Sequence, residues 1–267
     1  MTPDATVLVT GANGFLGAAC CQRLEARGYR ARGLVRDPAS APDAAGVTSG
    51  GLFRGELPNT VDEAAFDRVS AVIHCAFATR VTGAATLSAA NLAGSQRVLE
   101  LSRAHGVERF VFISSLAATP EAESTYARSK RAVEGLLDPT RDLTLRPGMI
   151  MGRGGLFARM CQSVQTVPMV PLFYGGRQQL QTVWVDDVCD AIVNGIDAGL
   201  TGAYGIAAPE PIDIRRFYQE IAGLAGRRCR FVPLPGPPVV AALRLTERLG
   251  LRLPITSENL LGLKHMR

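Results

Sequence analysis

The sequence predicts an α/β fold, a doubly wound parallel sheet with a small C-terminal lobe, and three observations lead to it. From Thr6 to Arg146, short apolar runs alternate with longer segments of helical period, the pattern of successive βαβ units. The 267 residues suit one large domain with a lobe. After Arg146, clusters of glycine and proline interrupt the rhythm. We therefore expect a sheet domain over 1–146 and a dependent, substrate-binding lobe over 147–267 on the sheet's carboxyl edge.

Each predicted element corresponds to a local pattern. Short apolar runs predict six strands, at Thr6–Thr10, Ala31–Val35, Leu52–Arg54, Ala71–Cys75, Phe110–Ser114 and Leu143–Arg146. Helical periodicity predicts helices between them, at about Gly14–Arg27, Ala84–His105 and Ser124–Leu137. In the lobe we expect short helices at Asp187–Ala198, Ile214–Gly226 and Val239–Leu249, and isolated strands near Thr182–Val185 and Ala203–Ile206.

The composition excludes several classes of protein. The chain is 47% hydrophobic and 20% charged, which is typical of a globular protein, and its net charge of +5 is too dispersed for a nucleic-acid surface. No apolar run approaches the roughly 18 to 20 residues of a membrane span, and we expect no export signal. Six cysteines without metal or disulfide spacing indicate free thiols, no metal site and a cytoplasmic location.

A glycine-rich segment follows the first strand and opens the first helix. Gly11, Gly14 and Gly17 allow a tight turn, close approach to a pyrophosphate, and a helix seated on the sheet. The sequence therefore predicts a dinucleotide site, although glycines needed only for turns are the alternative. The other residues of this segment expected at the site are Asn13, Phe15 and Leu16.

The end of the second strand indicates which dinucleotide is used. Arg36 is the first charged residue there, and a guanidinium pairs well with a 2′-phosphate, so we expect NADP(H) in preference to NAD(H). In the alternative, Arg36 is solvated and Asp37 holds the ribose hydroxyls. Glu56, followed by Leu57, is positioned to accept from the adenine amino group unless it is an exposed loop acid.

The dinucleotide should cross the fourth strand. The small residues Cys75 and Ala76, followed by Phe77, lie at the carboxyl end of that strand. They leave backbone accessible at the place where ligands of open α/β sheets bind.

Tyr126 and Lys130 are the candidate catalytic pair. They stand four residues apart on a predicted helix, so they share one face, and a neighbouring cation favours the phenolate form of a tyrosine. Lys130 and Lys264 are the only lysines among 29 basic residues. The alternative is a pair on the helix surface.

Ser115 ends the fifth strand at the same sheet edge. Its hydroxyl is able to hold a substrate carbonyl while Tyr126 donates a proton, unless it only caps the next segment. No Gly-x-Ser-x-Gly elbow or well-placed histidine supports a serine hydrolase.

These motifs together resemble the short-chain dehydrogenase/reductase superfamily, in particular its extended and atypical branch, the NAD(P)-dependent epimerase/dehydratase family. The resemblance implies a Rossmann-type fold, with Tyr126 as acid/base, Lys130 holding the nicotinamide ribose, and Ser115 polarising the reacting carbonyl. It also implies that Asn91 lies near the cofactor, although a structural role is the alternative, and it places Pro147 at the cofactor site.

Three functions follow as hypotheses. The first is an NADP(H)-preferring oxidoreductase acting on a carbonyl or alcohol of a small or carbohydrate-derived substrate. The second is a nucleotide-sugar epimerase or dehydratase with retained NAD, in which Arg153, Arg159 and Arg177 clamp a diphosphate. The third is a catalytically idle dinucleotide-binding assembly or regulatory protein.

The sequence also bears on self-association. The resemblance implies a possible homodimer through helices in residues 84–137. Residues 260–263 (Leu-Leu-Gly-Leu), with the apolar face of Val239–Leu249, either form an interface or close the lobe, and we expect closure.

Overall fold

The computed structural model describes residues 4–41, 48–78, 84–248 and 257–264. Helices in this part of the chain are α1 Phe15–Ala26, α2 Ala84–Ala104, α3 Thr125–Glu134, α4 Gly155–Thr166, α5 Val185–Asp197, α6 Ile214–Leu224, α7 Gly236–Arg248 and α8 Ser257–Lys264. Strands are β1 Thr6–Thr10, β2 Arg30–Val35, β3 Leu52–Glu56, β4 Thr60–Val61, β5 Val69–His74, β6 Arg109–Ile113, β7 Leu143–Pro147, β8 Met149–Met151, β9 Met169–Phe173, β10 Gln179–Leu180, β11 Thr182–Trp184, β12 Gly202–Ile206, β13 Ile212–Asp213 and β14 Arg230–Leu234.

An eight-stranded sheet forms the centre of the molecule, in the order β12-β7-β6-β5-β1-β2-β3-β4. All pairs are parallel except β3 with β4, which is antiparallel. From β1 the chain builds outward through β2 and β3, and then returns to build the other half from β5. The carboxyl ends of β1 and β5 therefore flank the point where the strand order reverses, the place where ligands of such sheets bind. The predicted α/β class and doubly wound order are confirmed.

Two strands of the sheet correct the sequence-based assignment. Residues 203–206 were expected to form an isolated strand, but β12 pairs in parallel with β7 and extends the main sheet. This edge strand is largely exposed and contains two glycines, so it lacks the apolar run of a central strand. The two-residue β4 was not predicted because it is too short to have a period. Residues beyond 146 thus contribute to the sheet as well as to the lobe.

The first strand shows why the sheet is covered on both faces. Val7, Leu8 and Val9 are fully buried. Val7 and Val9 join the core cluster that contains α1 and α5, whereas Leu8 joins a second cluster with Phe66 and Phe112. Because successive side chains of a strand point to opposite faces, a continuous apolar run requires helices on both sides.

The lobe has its own small core, made by residues of α4, β9 and α6. Near the end of the chain, Leu261 of α8 packs with Val240 and Leu243 of α7, which supports closure of the lobe by this segment. The side chains of Leu249, Leu260 and Leu263 lie outside the described residues. Within the described ranges, no helix is both long and apolar enough to cross a bilayer.

Candidate active site

The glycine-rich turn joins β1 to α1 and lies directly against the end of β5. Gly11 has a φ of +68°, and a Cβ there would lie 3.0 Å from Ala76 Cα. A Cβ on Gly17 would lie 2.1 Å from the Gly11 carbonyl oxygen. Only glycine allows both approaches, so the predicted reasons for these residues agree with the packing.

The first turn of α1 is a site for negative charge. Its N-cap residue, Gly14, provides no side-chain hydrogen bond, and the first turn contains no acidic residue. The first backbone N–H groups of the helix and its dipole are therefore available to an anion. Asn13 is exposed beside this turn.

Phe15 and Leu16 have packing contacts in the structure. The Phe15 ring lies against residues 152–155, because a Cβ on Gly152 or Gly154 would come within 2.7 or 2.5 Å of it. Leu16 packs on the core cluster beneath α1. Phe15 thus connects the glycine-rich turn to the start of α4, a contact that the sequence did not reveal.

His74, which the sequence analysis did not assign to the site, fixes the strand ends beneath it. The ring is fully buried, with Nδ1 2.7 Å from Thr10 Oγ1 and Nε2 2.9 Å from Ser95 Oγ. Thr10 Oγ1 also accepts a hydrogen bond from the Ala76 backbone N–H at 3.0 Å. Burial, and then the charge of Lys130, lower the pKa of His74 to about 3, so the imidazole is neutral at physiological pH.

Arg36 and Asp37 separate into two roles at the end of β2. The Asp37 carboxylate accepts a hydrogen bond from Ala39 N–H at 3.0 Å and caps the turn Pro38–Ser40. Arg36 is exposed, and no hydrogen bond or ion pair joins its side chain to another residue within the described ranges. A free guanidinium at this position is suited to an anionic ligand.

Glu56 and Leu57 end β3 with different environments. The Glu56 side chain is 58% exposed, and its carboxylate lies 3.9 Å from Arg54. Leu57 packs against α2, where a Cβ on Gly94 would lie 3.0 Å from Leu57 Cβ. Glu56 is therefore accessible to a ligand, and Leu57 mainly packs.

Tyr126 and Ser115 come together at the carboxyl edge. Desolvation of the phenol raises the pKa of Tyr126, although 38% of the residue's surface is exposed, and the neighbouring Ser115 hydroxyl partly opposes that shift. The edge of the Phe77 ring meets the Tyr126 ring, with centroids 5.7 Å apart and planes at 85°. The tyrosine hydroxyl is therefore protonated at neutral pH and lies beside a second hydroxyl. The predicted lowering of the Tyr126 pKa by Lys130 stays a prediction.

Lys130 lies beneath this pair in a buried setting. Its Nζ donates to the Ile113 carbonyl oxygen at 2.6 Å and lies 3.8, 4.8 and 5.9 Å from the ring centres of Phe77, Phe112 and Tyr126. Burial lowers the pKa of Lys130 to about 7, although Cys75 and Glu134 oppose the shift. The predicted pair thus shares one site, and the lysine is not a surface residue.

Asn91 has the structural role that the sequence analysis left open. Its amide oxygen accepts from Ala78 N–H at 2.8 Å, and its amide nitrogen donates to the Ala78 carbonyl oxygen at 2.9 Å. The side chain is therefore committed to the segment that follows β5, next to Phe77. A contact of Asn91 with the cofactor stays a prediction.

The ends of β6 and β7 present further polar groups. Leu116 N–H donates to the Pro147 carbonyl oxygen at 3.0 Å, which fixes Ser115 beside β7. Ser114, which sequence reasoning passed over, is 3% exposed, and its hydroxyl has no partner within the described ranges. Because buried hydroxyls are normally paired, Ser114 marks a position suited to a polar ligand group.

The helix that carries the candidate pair is capped from two directions. Ser124 Oγ accepts from Ala127 N–H at 3.3 Å, and Glu258 of α8 accepts from Thr125 N–H at 2.6 Å. A carboxylate at a helix N-terminus is favourable for both hydrogen bonding and the helix dipole. The C-terminal segment thus holds the start of α3, one residue from Tyr126.

These observations fit a dinucleotide cofactor. A glycine cradle, an uncapped helix N-terminus, a free arginine and an unpartnered buried hydroxyl lie along one sheet edge. No group of three or more histidine, cysteine or acidic side chains suited to a metal occurs in the part of the chain that the structure describes.

Comparison with known proteins gives the family. The model of the NAD dependent epimerase/dehydratase family matches residues 7–207. The chain belongs to this family. It is an NAD(P)-dependent enzyme of the oxidoreductase and epimerase type, and the resemblance drawn from its motifs is confirmed.

Similar proteins include reductases and epimerases. A ceramide reductase of Caulobacter vibrioides is 31% identical over 266 residues, covering 92% of this chain and 80% of the relative. A 2-alkyl-3-oxoalkanoate reductase of Stenotrophomonas maltophilia is 27% identical, and the match covers 82% of this chain and 76% of the relative. The structure of a UDP-glucose 4-epimerase from Thermotoga maritima shares the fold, with a TM-score of 0.73 at 22% identity. The match covers 97% of this chain and 96% of the epimerase.

The buried histidine generates a prediction about stability and pH. Between pH 6.5 and 3 the unfolded chain binds a proton at His74 that the folded chain does not. As the pH falls through this window, proton binding to His74 in the unfolded chain should therefore lower the free energy of unfolding by about 1.4 kcal/mol per pH unit. Denaturant unfolding should show that His74→Asn is less stable than wild type at pH 7. At pH 5 this difference in the free energy of unfolding should be smaller by about 2 kcal/mol. A gap that stays constant would contradict the assignment.

Proposed function

We propose that the protein is an NADP(H)-preferring reductase that converts a carbonyl group of a small molecule to an alcohol, or catalyses the reverse oxidation. The observation that carries the proposal is the cluster of Ser115, Tyr126 and buried Lys130 beside the glycine-rich turn. A proton donor, a second hydroxyl and a cation at a dinucleotide site are the groups that carbonyl reduction requires.

The dinucleotide would lie along the carboxyl edge of the sheet. The glycine-rich turn and the start of α1 would hold its pyrophosphate, Arg36 its 2′-phosphate, and Lys130 a hydroxyl of its nicotinamide ribose. When bound, the dinucleotide supplies the hydride or accepts it.

The protein residues manage the proton. Because desolvation of the phenol raises the pKa of Tyr126, its hydroxyl is in the protonated form that reduction requires. Ser115 would hold the carbonyl oxygen of the substrate and stabilise the phenolate left on Tyr126. Lys130, when charged, would favour the same anion.

Two observations support net reduction over the reaction of an epimerase or dehydratase, in which the retained cofactor is regenerated in each cycle. Arg36 favours NADP(H), and the two curated relatives described above are named reductases. The arginines offered for a nucleotide-sugar diphosphate, Arg153, Arg159 and Arg177, are exposed in the same way as Arg36, so their exposure favours neither hypothesis. A ceramide is a lipid and a 2-alkyl-3-oxoalkanoate carries an alkyl branch, so we further propose that this enzyme's substrate has an apolar part.

The setting of the enzyme is proposed on similar grounds. All six cysteines are free thiols, which supports a reducing, cytoplasmic location. The division at residue 146 and a homodimer through residues 84–137 also stay proposals.

Replacing the proton donor tests the mechanism. Tyr126→Phe removes the hydroxyl and keeps the ring, so turnover of a carbonyl substrate with NADPH should fall by at least about 100-fold while NADPH affinity changes less than about twofold. Tyr204→Phe, on an exposed tyrosine of β12, is the matched control and should retain activity. Unchanged turnover in Tyr126→Phe would exclude the mechanism.

Replacing the candidate phosphate ligand tests the cofactor preference. Arg36→Ala should weaken NADPH binding by about 10- to 100-fold, because a charge-assisted interaction is lost, and should alter NADH binding less than about threefold. Arg30→Ala, on an exposed arginine at the opposite end of β2, controls for general loss of positive charge. Fluorescence titration with both dinucleotides measures the effect. Equal weakening for NADPH and NADH would refute the assignment.

A further inference from the structure

A cleft of about 220 Å³ lies in the lobe between α4, β9 and α6. One face of α4 forms its first wall, since residues spaced by three or four positions share a helix face. The lining residues are Leu156, Met160, Ser163, Val167, Val170, Pro171, Leu172, Phe173, Gln178, Ile214 and Tyr218. Eight of these eleven side chains are apolar, so the cleft suits an apolar group.

The few polar groups of this cleft are mostly satisfied within the protein. Ser163 Oγ donates to the Met160 carbonyl oxygen at 2.7 Å. The Gln178 amide nitrogen donates to the Phe173 carbonyl oxygen at 3.0 Å, which fixes the orientation of the amide. The Gln178 amide oxygen is buried and has no partner within the described ranges. An unpartnered acceptor in an apolar lining is costly unless a ligand supplies a donor.

Helix α4, which lines the cleft, begins next to the glycine-rich turn. Gly152 and Gly154, just before this helix, pack against Phe15 of the glycine-rich turn. Leu156, in the first turn of α4, is 45% exposed and forms part of the rim. Leu156, at the rim of the cleft, thus follows in sequence the segment that contacts the glycine-rich turn.

We propose that this cleft binds an apolar segment of the substrate that carries one hydroxyl or N–H group, with Gln178 Oε1 as its acceptor. The inference rests on the proposed carbonyl reductase and names the substrate class: a carbonyl compound with an alkyl or alicyclic portion. The volume lies below the roughly 300–1,000 Å³ of sites that enclose a whole ligand, so the cleft takes a segment of the substrate.

A chain-length series tests the apolar contact. With NADPH and 2-alkanones from 2-butanone to 2-decanone, kcat/KM should rise about fourfold per methylene until the cleft is filled, which corresponds to about 0.8 kcal/mol. Leu156→Trp should flatten this dependence by obstructing the rim. Leu224→Trp adds the same ring at a leucine that is 91% exposed and does not line the cleft, and should keep the dependence.

A binding measurement tests the acceptor without relying on turnover. Calorimetric titration should show wild-type protein binding 1-octanol at least fivefold more tightly than 1-methoxyoctane, which has no donor. Gln178→Leu should bring the two affinities within twofold, and Leu156→Trp should weaken both.

The outcomes separate this inference from the proposed function. If NADPH reduces the ketones with a kcat/KM that is independent of chain length, the cleft is not the substrate site and the reductase stands. If no ketone is reduced, the proposed function fails. Calorimetry alone then shows whether the cleft binds an apolar molecule with a hydroxyl group. Absence of 1-octanol binding, or binding unaffected by both Leu156→Trp and Gln178→Leu, overturns the inference.

Discussion

The burial of one ammonium group constrains the rest of the site. Lys130 Nζ has the Ile113 carbonyl oxygen at 2.6 Å and the faces of Phe77 and Phe112 around it. Burial lowers its pKa to about 7, so its charged form costs the fold free energy that a solvated lysine would not. Three elements must be held in place to keep it there: the end of β6, the segment after β5 and helix α3.

The segment after β5 and helix α3 are held by contacts distant in sequence. His74 joins the ends of β1 and β5 to α2, Asn91 holds the segment after β5, and Glu258 caps α3 from the last described helix. Phe15 connects the glycine-rich turn to the lobe. The proposed proton donor, cofactor turn and substrate cleft are therefore parts of one packed assembly. Such support is what holds reacting groups in a fixed geometry.

Features with a local signature were predictable from the sequence. The glycine spacing at residues 11–17 and the four-residue interval from Tyr126 to Lys130 follow from strand and helix periodicity, and the structure brings both to one sheet edge. The proposed role of Gln178 and the contact of Glu258 with α3 had no such signature, because both depend on residues of other elements. Strand β12 was misassigned because an exposed edge strand lacks the apolar run of a central one.

Lys130→Met tests most directly whether this buried charge is retained for function at the expense of stability. Below about pH 7 the folded lysine is charged and its burial is unfavourable, and the cost disappears as the pH rises toward 10.5. Denaturant unfolding of the dinucleotide-free protein should show Lys130→Met more stable than wild type by at least about 2 kcal/mol at pH 6, with a smaller gain at pH 9 and turnover lost. A variant that is less stable at pH 6 and still active would contradict the account.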